Sequence, residues 1–365
     1  MPQPHVSPNT PHSVCSIVPP FLLARIATLD DPRFERAAYA ARRSLTDIAP
    51  EHLDHGRGDH SLLPRSLRPD QPSVRGTINR AISDAQGTET LPGALVRAEG
   101  APETDDGSVT EAYDGLGSTF ALFWEVFARD SIDDRSAPLE ATVHYGKLYD
   151  NAFWDGRRMV FGDGDGEIFD GFTRSLSVIG HELAHGVTEF TAGLVYRDQS
   201  GALNEHVSDV FGALVEQYTL GQSAADASWL IGEGIFTDEV EGNALRSLKA
   251  PGTAYDDDVL GKDPQPDHLD GYIKTLDDNG GVHLNSGIPN RAFWSVADSL
   301  GGYAWERAGQ IWYDTLTGGS LGPRADFSRF AAATVVSAAA RFGSNSPEHE
   351  AVLAGWTLVG INATG

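Results

Sequence analysis

The chain has 365 residues, 40% apolar and 22% charged, the profile of a soluble globular protein of about two or three domains. Its formal charge of −25 excludes a role on nucleic acid or an anionic membrane surface, both of which select for basic protein surface. No apolar run approaches the roughly 18 residues that a membrane-spanning helix requires, and a single cysteine, Cys15, excludes an intrachain disulfide and any cysteine-based structural zinc site.

In chain order, the first residues are polar and Pro-rich, with no basic start followed by an apolar stretch, so a cleavable secretory signal is not visible. A short apolar segment, Val18 to Ile26, contains Pro19-Pro20. Asp31-Pro32 then reads as an N-cap followed by Pro at the first helical position, predicting a helix to about Leu45. From Ile48 to Ser73 the chain is loose, rich in Pro, Gly, His and Asp. Up to residue 74 the acidic and basic side chains balance, so the whole negative charge belongs to the remainder. Residues 1–74 therefore read as a separable N-terminal extension, either floppy or a removable prosegment with the loose stretch as its cleavage region.

From about Val74 to Gly180 the pattern favours strands and turns, among them Ala141 to Tyr145 and Arg158 to Phe161. Asp163 and Asp165 in the Gly-Asp-Gly-Asp-Gly run read as a turn, since no downstream Glu completes a calcium loop. Helical spacing takes over near Thr173: Leu176, Ile179, Leu183, Val187 and Phe190 form one stripe, and Leu203, Val207, Val210, Leu214 and Tyr218 form another. Beyond Asn290 the chain is Ala-rich and again helical. Strands followed by helices predict an α+β protein with a β-rich first half and a helical second half.

The chemistry concentrates in His181-Glu182-Leu183-Ala184-His185. Two imidazoles at i and i+4 project from one helix face and can share a zinc ion, while Glu182 is placed to reach an attacking water. A catalytic zinc takes a third protein ligand. The Gly and His that follow closely in one class of zinc peptidase are replaced here by Thr188 and Thr191. The next helix offers Glu205 and Asp209 on one face: Glu205 as the third ligand, Asp209 as acceptor for the free N–H of His181. Neighbouring Asn204 belongs to the same supporting shell, and His206 reads as a helix-surface histidine. No role is assigned to His144 or His268.

These residues resemble the thermolysin family of zinc metallopeptidases. The resemblance extends to Tyr149-Asp150-Asn151-Ala152-Phe153-Trp154, to Gly193 through Tyr196, to Ser200 through Glu205, and to Asp278 through Gly287, in family order. Val18-Pro19-Pro20-Phe21-Leu22-Leu23 resembles the short prosegment of protealysin-like members. The resemblance implies a thermolysin-like fold with the zinc helix at the junction of its halves: a prosegment over 1–74, a β-rich half over 75–192, and a helical half over 193–365. It implies Glu182 as general base and Tyr196 and His283 as oxyanion donors, with Asp278 orienting His283. Arg246, Asn151, Ala152 and Trp154 would hold the substrate, and Leu245 and Val178 would line a pocket for an apolar residue after the scissile bond. Zinc is the implied cofactor.

The family's main calcium cluster would place carboxylates where this chain has Ser177, Ser228 and Leu230, leaving Glu216 and Glu233, so little or no tight calcium is expected. The implied partners are polypeptide substrates and the chain's own prosegment, in a monomer. Cleavage would fall around Arg65 to Arg75, carried out by the enzyme itself. Export is implied by the resemblance, while the missing signal leaves a cytoplasmic location open. Cys15 reads as an incidental thiol, with zinc coordination as the alternative. A glutamate-type zinc aminopeptidase and a degenerate, non-enzymatic binding module are the rival readings; Arg246 and the Gly280 to His283 segment favour the endopeptidase, and the presence of every proposed catalytic group disfavours the module.

Overall fold

A computed structural model describes residues 15–48 and 74–363. The loose stretch and the Arg65 to Arg75 processing region lie outside the described residues, apart from Val74 and Arg75.

The N-terminal segment contributes β1 (Cys15–Ser16), α1 (Pro20–Ala27) and α2 (Glu35–Ile48). Asp31 caps a 3-10 turn, its Oδ1 accepting from Arg33 N at 2.9 Å, and α2 follows directly. Next come β2 (Arg80–Asp84), β3 (Ala94–Ala98), α3 (Gly107–Phe127), β4 (Leu139–Val143), β5 (Ala152–Trp154) and β6 (Met159–Phe161). The six strands form one mixed sheet in the order β1-β5-β6-β4-β2-β3, with the N-terminal segment supplying the edge. In β1, Cys15 pairs with Trp154 and Ser16 with Phe153, antiparallel.

Helix α3, 21 residues long, corrects the reading of this region as strands and turns. Its core stripe of Val109, Tyr113, Leu116, Phe120, Phe123 and Phe127 steps by 3 or 4, and Asp106 caps its start, accepting from Val109 N. Glycines at 107, 115 and 117 dilute that signal.

The second half is helical: α4 (Leu176–Glu189), α5 (Asp198–Leu220), α6 (Asp278–Asn285), α7 (Gly287–Leu300), α8 (Ala308–Thr317), α9 (Phe327–Phe342) and α10 (Pro347–Leu358). Two small ribbons interrupt it, β7 (Leu230–Ile231) with β8 (Arg246–Ser247), and β9 (Asp256–Asp257) with β10 (Gly261–Lys262). No helix among the described residues is long and apolar enough to cross a membrane.

Helices α4 and α5 pack backbone to backbone because glycine faces glycine. A Cβ on Gly212 would stand 2.5 Å from Ser177 O and 3.1 Å from His181 N, and one on Gly180 would stand 3.1 Å from Gly212 Cα. Any larger residue at Gly212 would wedge the helices apart, and with them the side chains they present to each other.

Candidate metal centre and active site

Helix α4 presents His181 and His185 one turn apart, with Nε2 atoms 3.0 Å from each other. Each Nδ1 is already committed. His181 Nδ1 donates to Asp209 Oδ1 at 2.8 Å, and His185 Nδ1 donates to Asn204 Oδ1 at 2.8 Å. Asn204 is fixed in turn by its Nδ2, which donates to Leu194 O at 3.0 Å. In the neutral tautomer that these Nδ1 bonds select, each Nε2 carries a lone pair. Two lone pairs facing each other at 3.0 Å repel unless a cation lies between them.

Glu205 from α5 completes the set. Its carboxylate oxygens lie 3.5 Å from His181 Nε2 and 3.4 Å from His185 Nε2. Oε2 of Glu205 is buried without a hydrogen-bond partner, as are both carboxylate oxygens of Glu182. Two imidazoles and one carboxylate are the donor set of a catalytic zinc with an open position, and the orphaned oxygens are those that a bound dication would satisfy. Zinc fits this site.

The electrostatics point the same way. Burial, followed by the charge of Glu205, pushes the Glu182 carboxyl well up, as suits a base that must take a proton near neutral pH. Burial alone would raise Glu205 too, but His283, His181 and His185 together hold it low. Burial lowers His185 to about 4, keeping it neutral and able to ligate.

Asp209 is the hub behind the ligands. Besides His181 it accepts from Arg246 Nη2 at 2.9 Å and Nε at 3.0 Å, and from Asn290 Nδ2 at 2.8 Å. The paired Arg246 guanidinium holds Asp209 far below the usual carboxylate range despite its burial. Asn290 went unnoticed in the sequence, where nothing in its spacing sets it apart. Its Oδ1 also accepts from His206 Nδ1 at 2.8 Å.

His206 corrects the surface reading. It is fully buried, its Nε2 accepts from Trp312 Nε1 at 2.7 Å, and burial lowers it to about 4. Helix α5 is covered on nearly all sides by α4, α6 and α7, so it has no solvent face there for a histidine to occupy.

On the opposite wall, His283 Nδ1 donates to Asp278 Oδ1 at 2.6 Å, and Asp278 Oδ2 accepts from His283 N at 2.9 Å. This fold-back needs the left-handed run Asp278-Asn279-Gly280-Gly281, all at positive φ. A Cβ on Gly280 would strike Asp198 Oδ1 at 2.2 Å. Burial works against the imidazolium of His283, but Glu205 and Asp278 raise it to about 9. The Tyr196 hydroxyl donates to Glu205 Oε1 at 2.5 Å and lies 3.3 Å from His283 Nε2.

The cleft holds the N-terminal segment. Ile17 N donates to Ala152 O at 3.0 Å, and Val18 N donates to Asn151 Oδ1 at 2.9 Å. Arg246 Nη1 donates to Ile17 O at 3.0 Å, and His283 Nε2 donates to Ser16 O at 2.9 Å. Trp154 faces Cys15 across the sheet and donates its Nε1 to Glu189 Oε2 at 3.3 Å. Val178 and Leu245 are buried in the same core as Ile17. Cys15 itself is buried, with its sulfur, a His185 ring nitrogen and a Glu205 oxygen all within 4.8 Å of one another. That placement brings Cys15, read in the sequence as an incidental thiol with zinc coordination as the alternative, beside His185 and Glu205.

Glu216 and Glu233 line a pocket together with Ser228 and Asp226. Burial and then Glu233 raise Glu216 to about 7, and Ser177 hydrogen-bonds it.

This geometry matches a zinc peptidase site in which a glutamate could serve as third ligand. Residues 78–189 match the model of the thermolysin metallopeptidase catalytic domain, and residues 192–361 match that of the thermolysin metallopeptidase alpha-helical domain. The chain belongs to the thermolysin family of metalloendopeptidases, which use zinc. It is 49% identical to an extracellular metalloprotease of Pectobacterium carotovorum subsp. carotovorum over 95% of this chain and 96% of that protein. It is 51% identical to the protease PrtS of a Photorhabdus strain over 80% of this chain and 79% of that protein. The solved precursor of protealysin from Serratia proteamaculans superimposes with a TM-score of 0.85 at 49% identity, covering 95% of this chain and 99% of that one.

Proposed function

We propose that this chain is the precursor of a secreted, monomeric endopeptidase, that residues 1–74 are its prosegment, and that it processes itself. The N-terminal segment supports that reading by lying in the cleft as an added strand, with the backbone hydrogen bonds an extended substrate would make. Similarity to a precursor over nearly the whole chain, and to an extracellular protease, points the same way.

When bound, zinc supplies Lewis acidity that polarises a peptide carbonyl and acidifies an attacking water. The chain's own residues do the rest. Glu182 takes the water's proton on its carboxylate and later delivers it to the leaving amine. Nε2 of His283, protonated because Asp278 and Glu205 favour the cation, donates to the oxygen that gains negative charge; the Tyr196 hydroxyl turns from Glu205 to the same oxygen. Arg246 and Asn151 fix the chain after the scissile bond as they now fix Ile17 and Val18. Ile17 is fully buried, which supports a preference for cleaving before bulky apolar residues, with Val178 and Leu245 lining the pocket.

The observation that carries this reading is the pair of imidazole Nε2 atoms facing each other at 3.0 Å beside Glu205, whose Oε2 is buried without a hydrogen-bond partner. The test is to incubate purified precursor with casein while following its own mass. Wild type is expected to shed its N-terminal segment and hydrolyse casein, and Glu182→Gln to do neither. A pure Glu182→Gln protein that is still cut in the loose region would rule out self-processing.

A further inference from the structure

Occupying the cleft with a strand does not by itself explain latency. The segment takes a substrate-like path, with the Ser16 carbonyl on His283 and the Ile17 carbonyl on Arg246, so the peptide between them lies where an endopeptidase would attack. A chain bound in that way needs a further device to escape cleavage. Immediately before Ser16, which supplies the carbonyl of that bond, stands the only cysteine of the chain, Cys15.

Five hydrogen-bonded positions locate it: Cys15 and Ser16 pair with β5, and Ile17 N, Ile17 O and Val18 N are each held by a cleft residue. Its sulfur ends within 4.8 Å of the ligating atoms of His185 and Glu205, and all three residues are buried. Two independent features there call for a cation. The Nε2 atoms of His181 and His185 face each other at 3.0 Å with each Nδ1 already engaged elsewhere, and Glu205 Oε2 is buried without a hydrogen-bond partner. A thiolate is a strong zinc ligand, and two histidines, one carboxylate and one sulfur make four, the closed set of a non-catalytic zinc site.

Building on the zinc endopeptidase reading above, we propose that Cys15 is the fourth zinc ligand of the precursor, holding the corner of the ion that the attacking water needs. In forming the latch the S–H bond breaks, its proton goes to solvent, a Zn–S bond forms and the water at that corner is released. Nothing is oxidised or reduced. Departure of the segment reverses the exchange: water returns to the corner as sulfur leaves. The prosegment thus does two separate things, filling the cleft through its backbone and removing the nucleophile through its thiol.

The experiment uses the full-length chain carrying Glu182→Gln, which keeps the prosegment attached, loaded with cobalt(II) in place of zinc. One metal per chain and a near-ultraviolet sulfur-to-cobalt charge-transfer band are expected. Adding Cys15→Ser is expected to abolish the band while metal stays at one per chain, which also shows that the double variant is folded. As a second readout, alkylation of Cys15 by iodoacetamide should slow at least about tenfold when zinc is added, because a metal-bound sulfur is a poor nucleophile. Bound cobalt without the band, or alkylation indifferent to zinc, would overturn the latch and leave the endopeptidase reading standing. A folded chain that binds no metal would overturn both.

Discussion

Asp209→Asn is the substitution on which the supporting shell is most exposed to test. Asp209 is fully buried and accepts from His181, Arg246 and Asn290 at once. Asparagine keeps the shape and one acceptor oxygen for His181, but it sets an amide N–H₂ against donors and leaves the Arg246 guanidinium, 1% exposed, without its counter-charge. Breaking a buried ion pair from one side costs about 3–5 kcal/mol. At about 2 °C per kcal/mol for a chain of this length, the metal-free protein should melt about 6–10 °C lower. Loss of a carboxylate behind a zinc histidine weakens metal binding about 10- to 100-fold, equivalent to about 1.4–2.7 kcal/mol. Calorimetry on the metal-free chain reads the first effect, and competition for zinc with a chromophoric chelator reads the second. A melting temperature within about 2 °C of wild type together with unchanged zinc affinity would refute the hub. A lower melting temperature with unchanged affinity would confine Asp209 to holding Arg246.

Tyr196→Phe and His283→Gln should each lower kcat about 10²- to 10³-fold with little change in KM and with zinc retained, the signature of a donor used only as charge develops. His144 donates to Asp163 at 2.8 Å and Asp106 at 2.9 Å, and the hydrogen bond to Asp163, followed by that to Asp106, raises it to about 9 against burial. Because the folded value lies above the unfolded one of about 6.5, this contribution is complete below about pH 6.5 and lost as pH rises through about 9. The difference corresponds to about 3 kcal/mol, reduced to about 1–2 kcal/mol by solvent screening. His144→Asn, suited to the positive φ of 54° there, should therefore destabilise the protein to urea by that amount at pH 6 and by almost nothing at pH 10. At the pocket of Glu216 and Glu233, where serines stand at 177 and 228, a calcium-selective chelator should move the melting temperature by less than about 2 °C; a larger drop would show a calcium site that the missing carboxylates argue against.

Local spacing in the sequence carried far into the site. His181 and His185 four apart, Glu205 and Asp209 four apart on the next helix, and Asp278 five before His283 are short-range patterns, and the fold brings all six together. What spacing could not convey was how α4 and α5 approach, which depends on Gly180 meeting Gly212 across more than thirty residues. Nor could it convey burial on a helix such as α5, whose His206 looks solvent-facing until its partners Asn290 and Trp312 arrive from distant segments. Helix α3 was legible in principle from its stripe of large apolar residues, and its glycines obscured it. For Cys15 the sequence left zinc coordination as the alternative to an incidental thiol. Its position is set by pairing with β5, more than 130 residues away, and no periodicity in the tail signals it.

Hydrolysis and latency both depend on one ion in one place, so the decisive measurement is zinc content by elemental analysis combined with X-ray absorption at the zinc edge. One zinc per folded chain is predicted, with two imidazoles and a carboxylate among its neighbours, and with loss of the metal in Glu205→Ala and in His185→Ala chains that remain folded by circular dichroism. Folded wild-type protein without metal, or zinc that stays at one per chain after Glu205→Ala, would contradict it.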